Sequence, residues 1–317
     1  MPELPEVETV VRDLRAAGLA GRRIVRTRVL WPKTIALPDP ARFAREIRGL
    51  AIRRLARRGK FVVLELSRGF TLLIHLRMSG HLDVLRKGTR PRRHDRVVLA
   101  LDDGRQVHFE DTRKFGRVWL ARDPARVLGK LGPEPLAFSL PGFAAGLAGR
   151  ARQLKPLLLD QTFLAGVGNI YSDEALWAAR LHPRRRADSL SAAQAAELLA
   201  AIRAVLRRGI RNLGTTLGGG KTHFVLPRGE RGRNQEQLSA YGQTGEPCPR
   251  CGTKIRRILV GQRATHFCPS CQRPRPAAHP SLRKNSKLHS RTAAVPSGSR
   301  ARTPSGDSVS KKCVPRG

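Results

Sequence analysis

Four of the five cysteines have the spacing of a metal site. They form two Cys-x2-Cys pairs sixteen residues apart, Cys248 with Cys251 and Cys268 with Cys271. Four thiolates in this pattern hold one Zn²⁺ tetrahedrally and leave no position for water, so such a zinc is structural. Disulfides and idle thiols are the alternatives, but this spacing in a reducing compartment favours metal binding. The sequence therefore predicts a zinc ribbon.

The second candidate for chemistry is the amino terminus. Removal of Met1 would leave the secondary amine of Pro2 as the end of the chain. An α-amino group has a pKa of about 7.7 to 8.0, and the positive end of a helix dipole lowers it further. Such an amine condenses with a sugar aldehyde to a cationic iminium, which is an electron sink for elimination. Glu3 and Glu6 are a candidate acid and a candidate substrate contact, and stabilisation of a first helical turn is their alternative role.

A predicted hairpin between the cysteine pairs carries a third candidate. It spans residues 255–265, and Gln262 and Arg263 lie at its tip after the small Gly261. A rigid ribbon can place one arginine in a nucleic-acid groove or against a phosphate. Position alone does not distinguish Arg263 from any other surface cation.

The charge balance indicates a polyanionic partner. The 317 residues include 61 Lys and Arg against 24 Asp and Glu, a formal net charge of +37. Because self-repulsion of this size disfavours the compact state, nucleic acid is the first partner to expect. No apolar run approaches the ~20 residues of a membrane helix, which excludes a membrane protein. The acidic N-terminus does not resemble a secretory signal, so we expect a cytoplasmic protein.

The elements that position these residues begin with a helix. Val7, Val10, Val11 and Leu14 recur at helical spacing, and Gly18 ends the pattern, which places Pro2 at a helix N-terminus. From about residue 22 to 121, short apolar runs alternate with turn sequences, and this pattern predicts an antiparallel sandwich or barrel. The clearest runs span residues 61–66, 70–76, 97–101 and 107–109.

The second half of the chain has a helical pattern. The spacing of Ser191 and Gln194 predicts a capping box that opens a helix running to about Leu213. The Gly-, Arg- and Thr-rich residues 214–235 predict a mobile loop that can close over a ligand. Residues 273–317 hold eleven Lys and Arg, one acid and no aromatic residue. This composition predicts a disordered basic tail, either a solubilising extension or a DNA tether.

Six separated motifs carry a resemblance to a known family. They are Pro2–Val10, Arg58–Phe61, His75–Gly80, Asp111–Gly116, Gly166–Tyr171 and, in the ribbon, Gly261–Thr265. In this order the chain resembles the bacterial formamidopyrimidine-DNA glycosylases from Pro2 to about Gln272.

The resemblance implies a multidomain α+β fold. An N-terminal helix and an antiparallel β-sandwich would form residues 1–131. A helical domain with a helix-two-turn-helix motif and a flexible lesion-capping loop would form residues 132–240. The zinc ribbon would span residues 241–272, and the disordered tail residues 273–317.

The resemblance also implies a function, that of a monomeric bifunctional DNA glycosylase and abasic-site lyase of base excision repair. Its substrates would be 8-oxoguanine and formamidopyrimidines in duplex DNA, and its cofactor one structural Zn²⁺. Pro2 resembles the nucleophile that attacks the sugar C1′ and forms an imine, and Glu3 the proton donor in ring opening. Lys60 resembles the proton donor in β-elimination and Arg263 the arginine of δ-elimination, while Glu6 would contact the substrate.

Three further residues resemble those with which the family fills the void left by a flipped base. A damaged base must leave the stack, which costs a few kcal/mol and leaves a void. Residues of three suitable types resemble the void fillers: an unbranched thioether, a planar cation and an aromatic wedge. They are Met78, Arg113 and Phe115.

Five other residues match DNA contacts of the family: His94, Lys114, Lys155, Asn169 and Tyr241. Lys114 stands where the family usually has arginine; a lysine keeps the charge but lacks the planar fork that makes a bidentate phosphate contact. Asn169 is expected to cap the helix that follows it and to open that helix end to phosphate. A packed tyrosine is the alternative for Tyr241.

Two other functions compete with this one. An endonuclease VIII-like glycosylase shares Pro2 and Glu3 but prefers oxidised pyrimidines; Leu4 and the turn Arg113–Phe115 favour the purine-specific branch. A non-catalytic damage-binding protein would have no chemical need for a terminal proline amine. In a bacterial cell we expect the protein in the cytoplasm, at the nucleoid when it is bound to DNA.

Overall fold

The computed structural model describes residues 1–217 and 231–274. The greater part of the predicted lesion-capping loop and nearly all of the predicted tail lie outside these residues. In the described part of the chain, no helix is long and apolar enough to cross a membrane.

The first half of the chain consists of two helices and nine strands. Helix α1 has the predicted apolar stripe, with a proline in its first turn. In chain order the elements are α1 (Leu4–Ala16), β1 (Ile24–Val29), β2 (Ile35–Leu37), α2 (Pro40–Ile47), β3 (Ile52–Arg58), β4 (Phe61–Leu66), β5 (Thr71–His75), β6 (Gly80–Leu85), β7 (Asp95–Leu101), β8 (Gln106–Asp111) and β9 (Arg117–Ala121).

The nine strands form two sheets around one apolar core. One sheet has the order β1-β7-β8-β6 and the other β2-β9-β5-β4-β3. Every neighbouring pair is antiparallel except β2 with β9, where a three-residue edge strand pairs in parallel. The core draws buried residues from both sheets and from α1. The predicted sandwich is confirmed, with this one parallel edge as the difference.

Among its described residues, the second half contains five α-helices and the ribbon hairpin. In chain order the elements are α3 (Ala125–Leu128), α4 (Leu140–Ala148), α5 (Leu154–Leu159), α6 (Asn169–Ala178), α7 (Ala192–Arg211), β10 (Arg256–Val260) and β11 (Arg263–Phe267). The predicted capping box of Ser191 and Gln194 is present, and α7 ends two residues before the predicted Leu213. The antiparallel hairpin β10-β11 confirms the predicted ribbon hairpin.

Helix α1 packs against both the sandwich and the helices of the second half. Most of its apolar stripe packs in the sandwich core, whereas Leu4 is buried with α4, α5, α6 and α7. The backbone N–H of Leu4 also donates to the carbonyl of Gly166, over 3.0 Å. The first turn of α1 is therefore fixed between the sandwich and the helices, and this is where the predicted chemistry begins.

Candidate active site

The amino terminus lies against the start of α6. Pro2 is buried, and Glu3 is the N-cap residue of α1. The N–H of Glu3 donates to Glu6 Oε2 over 2.8 Å, so the two acids form a capping box. Glu6 thus stabilises the first turn of α1, which was the alternative role that we considered for these acids.

The carboxylate of Glu3 also caps a second helix, α6. It accepts hydrogen bonds from the N–H groups of Gly168 at 2.7 Å, Ile170 at 2.9 Å and Tyr171 at 3.4 Å. These are free N–H groups of the first turn of α6, where the helix dipole favours a negative charge. A Cβ at Gly168 would lie 2.4 Å from the carboxyl carbon of Glu3, so only glycine leaves room for this contact.

The predicted capping role of Asn169 is wrong. The N-cap of α6 is Gly168, no side chain of the first turn caps the helix, and Glu3 occupies the N–H groups that we expected to face phosphate. Asn169 instead donates from Nδ2 to the carbonyl of Ala264 over 3.0 Å. The side chain therefore ties the ribbon hairpin to α6.

Glu6 lies behind the site surface. It is 1% exposed, and burial raises its pKa. Its Oε1 accepts hydrogen bonds from the Tyr171 hydroxyl at 2.8 Å and from the N–H of Thr215 at 2.7 Å. Glu6 thus joins α1, α6 and the segment after α7, and the structure does not place it where a substrate would contact it directly.

Lys60 reaches the same place from the β3-β4 turn. Gly59 has a φ of +55°, and its N–H donates to Glu134 over 2.6 Å. Lys60 is buried, and burial lowers its pKa, with Glu3 and Glu6 opposing this shift and Arg263 adding to it. The sequence could not place these groups together, because they come from three separate parts of the chain.

Burial also acts on the terminal amine. It lowers the pKa of the Met1 amino group below its ordinary value of 8.0, while Glu3 and Glu6 raise it and Lys60 and Arg113 lower it. The structure therefore brings the terminus together with the predicted acid, the predicted lysine and one predicted void filler.

Arg263 is exposed at the start of β11, at the tip of the hairpin. Gln262 turns the chain with a φ of +60°. The influence of Arg263 on Lys60 shows that the tip lies within electrostatic range of the site.

The three predicted void fillers lie on two neighbouring turns. Met78 precedes β6 and is 39% exposed, and Phe115 follows β8 and is 48% exposed. The guanidinium of Arg113 lies over the Phe115 ring, 5.0 Å from its centroid. An exposed thioether and an exposed ring beside a cation are available to contact bases.

His94 and Lys114 have positions compatible with DNA contact. The carbonyl of His94 accepts from the N–H of Asp111 at 2.9 Å, which holds the histidine close to the turn of the void fillers. Lys114 is exposed, and its ammonium lies 3.9 Å from the centroid of the Trp31 ring.

Lys155 does not lie as predicted for a DNA contact. Lys155 is fully buried, and its ammonium donates to Asn169, Ser172 and Asp173, the last at 2.6 Å. All three of its protons are used inside the protein, so a phosphate contact is excluded in this arrangement. Tyr241 is half-buried, with its ring 5.1 Å from that of His266, which fits the packing alternative.

The four ribbon cysteines fit one zinc ion. Cys251 Sγ lies 3.5 Å from the sulfurs of Cys268 and Cys271, and Cys248 Sγ lies 4.0 Å from that of Cys271. Tetrahedral Zn–S bonds of about 2.3 Å require sulfurs about 3.8 Å apart, whereas a disulfide needs about 2.05 Å. All four would hold a structural Zn²⁺, as predicted.

His75 lies near the site, although we predicted no role for it from the sequence. It pairs with Phe61 across the β4-β5 ladder, next to Lys60, and the two rings meet edge to face at 4.8 Å. Burial lowers its pKa to about 3, with Arg77 and Lys60 adding to the shift. The imidazole is therefore neutral at neutral pH, and its Nδ1 accepts from the N–H of Arg77 at 3.0 Å.

Three family models match successive parts of the chain. They are the formamidopyrimidine-DNA glycosylase N-terminal domain over residues 1–118, the H2TH domain of the same enzymes over residues 131–219, and a zinc finger found in these enzymes and in IleRS over residues 245–274. The chain belongs to the formamidopyrimidine-DNA glycosylase family.

Several bacterial relatives are similar to this chain over most of its length. The formamidopyrimidine-DNA glycosylase of Herpetosiphon aurantiacus is 50% identical, and that of Protochlamydia amoebophila 44%; each match covers 86% of this chain and 100% of the relative. Among solved structures, a Lactococcus lactis mutant in complex with DNA containing Fapy-dG aligns with a TM-score of 0.79 at 35% identity, over 86% of this chain and 100% of that one. The Thermus thermophilus protein aligns with a TM-score of 0.76 at 41% identity, over 86% and 98%.

Three further residues that we did not predict from the sequence position the predicted site residues. Gly168 makes room for Glu3, Tyr171 holds Glu6, and Glu134 holds the Gly59 turn. Gly168 and Tyr171 lie in a motif that the sequence had singled out, so the signal was present. Only the fold shows what each of them touches.

Proposed function

We propose that this protein is a bifunctional DNA glycosylase and abasic-site lyase that excises oxidised purines from duplex DNA. One observation carries the proposal: the Glu3 carboxylate is fixed by the N-terminus of α6 directly beside Pro2. An acid held next to a terminal secondary amine is what imine chemistry at a sugar needs.

The relatives support the substrate class. The Lactococcus lactis protein was crystallised with DNA that contains Fapy-dG, and in another complex with DNA that contains an abasic site. The net charge of +37 on this chain suits a polyanionic substrate. We infer that the same two kinds of damaged DNA bind here.

The first step would use Pro2 after removal of Met1. The proline nitrogen attacks C1′, the bond from C1′ to the base breaks, and its electron pair leaves with the base. Bond formation to C1′ releases the proton of the proline nitrogen. Glu3 would take up this proton and pass it to the ring oxygen as the sugar ring opens, while the departing base takes a proton from solvent. The product is an iminium between Pro2 and C1′, with the base released.

The lyase steps would follow from that iminium. Loss of the C2′ proton expels the 3′-phosphate, and Lys60 would donate a proton in this β-elimination. A second elimination expels the 5′-phosphate, with Arg263 at the ribbon tip assisting. Because burial lowers the pKa of Lys60, its ammonium gives up a proton more readily than an exposed lysine would.

The DNA would be held open by the two exposed turns. Met78, Arg113 and Phe115 would fill the void that the flipped nucleotide leaves, at the unstacking cost of a few kcal/mol. His94 and Lys114 flank these turns and would contact the backbone.

The proposal is tested by borohydride trapping on a duplex with 8-oxoguanine opposite cytosine. We expect a covalent adduct that peptide mass analysis places on the Pro2 nitrogen, with Met1 absent. Binding to damaged DNA without any adduct, by a protein that demonstrably lacks Met1, would overturn the lyase and leave a damage-binding protein.

A second assay separates the substrate branches. Release of 8-oxoguanine should be faster than release of thymine glycol. The opposite order would replace the proposal by an endonuclease VIII-like activity on oxidised pyrimidines.

A further inference from the structure

Asp111 connects the two turns that carry the predicted void fillers. It is the last residue of β8 and pairs with Gly80, the first residue of β6. This register places the turn before β6, with Met78, next to the turn after β8, with Arg113 and Phe115. Asp111 is 1% exposed, so its carboxylate is satisfied by protein groups rather than by bulk water.

Each oxygen of the Asp111 carboxylate holds part of this pair of turns. Oδ1 accepts from the Ser79 hydroxyl at 2.6 Å and from the N–H of Arg113 at 3.2 Å. Oδ2 accepts from the N–H of Gly116 at 2.6 Å. The hydrogen bonds thus reach the residue after Met78, Arg113 itself and the residue after Phe115. Bonds to a charged acceptor are stronger than neutral ones, which suits a fixed arrangement.

The backbone of both turns needs such support. Arg77 and Lys114 have φ values of +55° and +58°, a region that residues with side chains adopt only when their surroundings enforce it. Gly116 is equally constrained, since a Cβ there would lie 2.4 Å from the Phe109 ring and 3.1 Å from Asp111 Oδ2. The main-chain carbonyl of Asp111 is itself held by Arg96 Nε at 2.7 Å.

We propose that Asp111, acting with Ser79, is the positioning residue that sets Met78, Arg113 and Phe115 in register for insertion into the DNA stack. It contacts neither the terminus nor the ribbon in the hydrogen bonds described, so it acts on the opening of the duplex and not on imine chemistry. The inference rests on the proposed function, because it assigns a role within duplex damage recognition.

The test compares a substrate that must be opened with one that need not be. Asp111→Asn keeps size and shape, but its amide NH₂ cannot accept the hydrogen bonds that one carboxylate oxygen accepts now. We expect release of 8-oxoguanine from duplex DNA to fall roughly 10- to 100-fold, the range for loss of a hydrogen bond to a charged group. Borohydride trapping on a single-stranded abasic oligonucleotide should change less than about twofold, because no void forms there.

Two further variants make the result specific. Ser79→Ala removes one hydrogen bond from the same oxygen and should show the same substrate pattern more weakly; it decides the matter if Asp111→Asn does not fold. Asp103→Asn is the matched control, since Asp103 lies on the same sheet in the β7-β8 turn and pairs only with arginine side chains and a local N–H. It should leave both reactions unchanged.

A double-variant cycle tests whether Asp111 acts through the turn. Phe115→Ala alone should slow the duplex reaction, and adding Asp111→Asn should then cost much less than it does in the wild type. Equal losses on duplex and single-stranded substrates, or no loss on the duplex, would overturn the inference. Absence of both reactions in the wild-type protein would instead refute the proposed function, so the two failures are distinguishable.

Discussion

Lys155 and Asp173 form an ion pair that is shielded from solvent. The Lys155 ammonium lies 2.6 Å from Asp173 Oδ1, and both side chains are 0% exposed. Asp173 Oδ2 also accepts from the backbone N–H of His266 at 2.9 Å, so the pair connects α5, α6 and the ribbon. Removing one partner of a buried ion pair leaves an uncompensated charge and strongly destabilises the fold. Replacing the whole pair by apolar residues costs much less stability.

We therefore predict that Lys155→Met destabilises the protein by about 3 to 5 kcal/mol, because Asp173 stays buried without its partner. Urea denaturation measures the change. The exposed Lys130→Met is the control and should change the free energy of unfolding by less than about 0.5 kcal/mol. If Lys155→Met instead kept full stability and reduced the salt dependence of DNA binding, Lys155 would be a phosphate contact after all.

The terminal amine gives a prediction for the dependence on pH. Burial lowers the pKa of the amino terminus, and Arg113 adds to this shift. Pro2 is itself buried, so the same causes act on its amine once Met1 is removed. A lowered pKa leaves more free amine at neutral pH, so the acid limb of imine trapping should lie below pH 8.0, the ordinary value for an amino terminus.

Arg113→Met should move that acid limb to higher pH, because a cation that disfavours the protonated amine is removed. Trapping rates on single-stranded abasic DNA between about pH 5 and 9 would measure the limb without any contribution from base flipping. Arg12→Met, on the exposed side of α1, should leave it in place. If the acid limb of Arg113→Met stayed at the wild-type pH, the Arg113 guanidinium would be too far from the amine to affect its pKa.

At the scale of elements, a polar network joins β6, β8 and the segment before β7. His81 Nε2 lies 3.5 Å from Glu110 Oε2 and 3.7 Å from Asp83 Oδ2. These three side chains have ligand atoms close enough for a metal ion. Arg92, however, lies 2.9 Å from Asp83 and 3.2 Å from Glu110, so a side-chain cation already neutralises the two acids.

This network should stabilise the sheet within a defined pH window. The hydrogen bond with His81 lowers the pKa of Glu110 to about 2, from an ordinary 4.5. Burial opposes the shift of His81, but hydrogen bonding to Glu110 raises its pKa above an ordinary 6.5. The Glu110 contribution is present above pH 4.5 and disappears as pH falls toward 2, while the His81 contribution is complete below pH 6.5 and disappears above its raised pKa.

Glu110→Gln should therefore reduce stability most between pH 4.5 and 6.5, by roughly 0.5 to 1.5 kcal/mol, and less on either side. Thermal unfolding across pH 3 to 9 would reveal the window. In the exposed control Glu197→Gln, the change in stability relative to wild type should be the same at every pH. The same result for Glu110→Gln would show that the pair of His81 and Glu110 adds nothing to folding stability.

Elements differ in how well the sequence predicts them, for identifiable reasons. Helix α7 has a complete capping box and a long apolar stripe, so its start at Ala192 was predictable from local signals alone. Helix α2 and strand β2 have eight and three residues, too few for a reliable period, and they depend on packing against the sandwich. The cap of α6 was missed because Glu3 is distant in sequence from the helix that it caps.

At the scale of the whole molecule, the order of the motifs predicted the family and the sandwich, the helices and the ribbon. The meeting of Pro2, Lys60 and Arg263 could not be derived from periodicity, because it depends on how α1, the β3-β4 turn and the hairpin pack. The three boundaries between the four predicted domains and the roles of the site residues stay predictions. The lesion-capping loop and the disordered tail also stay predictions, since they lie largely outside the described residues.

The ribbon is the part of the molecule that depends most on metal. Within residues 231–274, the buried apolar cluster that contains the ligand sulfurs consists of Cys248, Ile255 and Cys268. So small a cluster cannot fold a hairpin alone, whereas zinc contributes about 10 to 16 kcal/mol in small zinc domains. The ribbon packs on α6 through Trp177, whose Nε1 lies 3.4 Å from Cys248 Sγ.

Replacement of one zinc ligand should therefore unfold the ribbon and spare the rest. In Cys268→Ala, we expect rapid proteolysis after about residue 240, while the sandwich and the helices, which have their own cores, stay resistant. Imine trapping on single-stranded abasic DNA should persist, because Pro2, Glu3 and Lys60 lie outside the ribbon, but δ-elimination products should disappear with Arg263. Cys313→Ser, which changes the one cysteine outside the two pairs, should leave both products. If trapping and the protease-resistant core were lost together in Cys268→Ala, the ribbon would instead be part of one cooperative fold, and the amine site would depend on zinc.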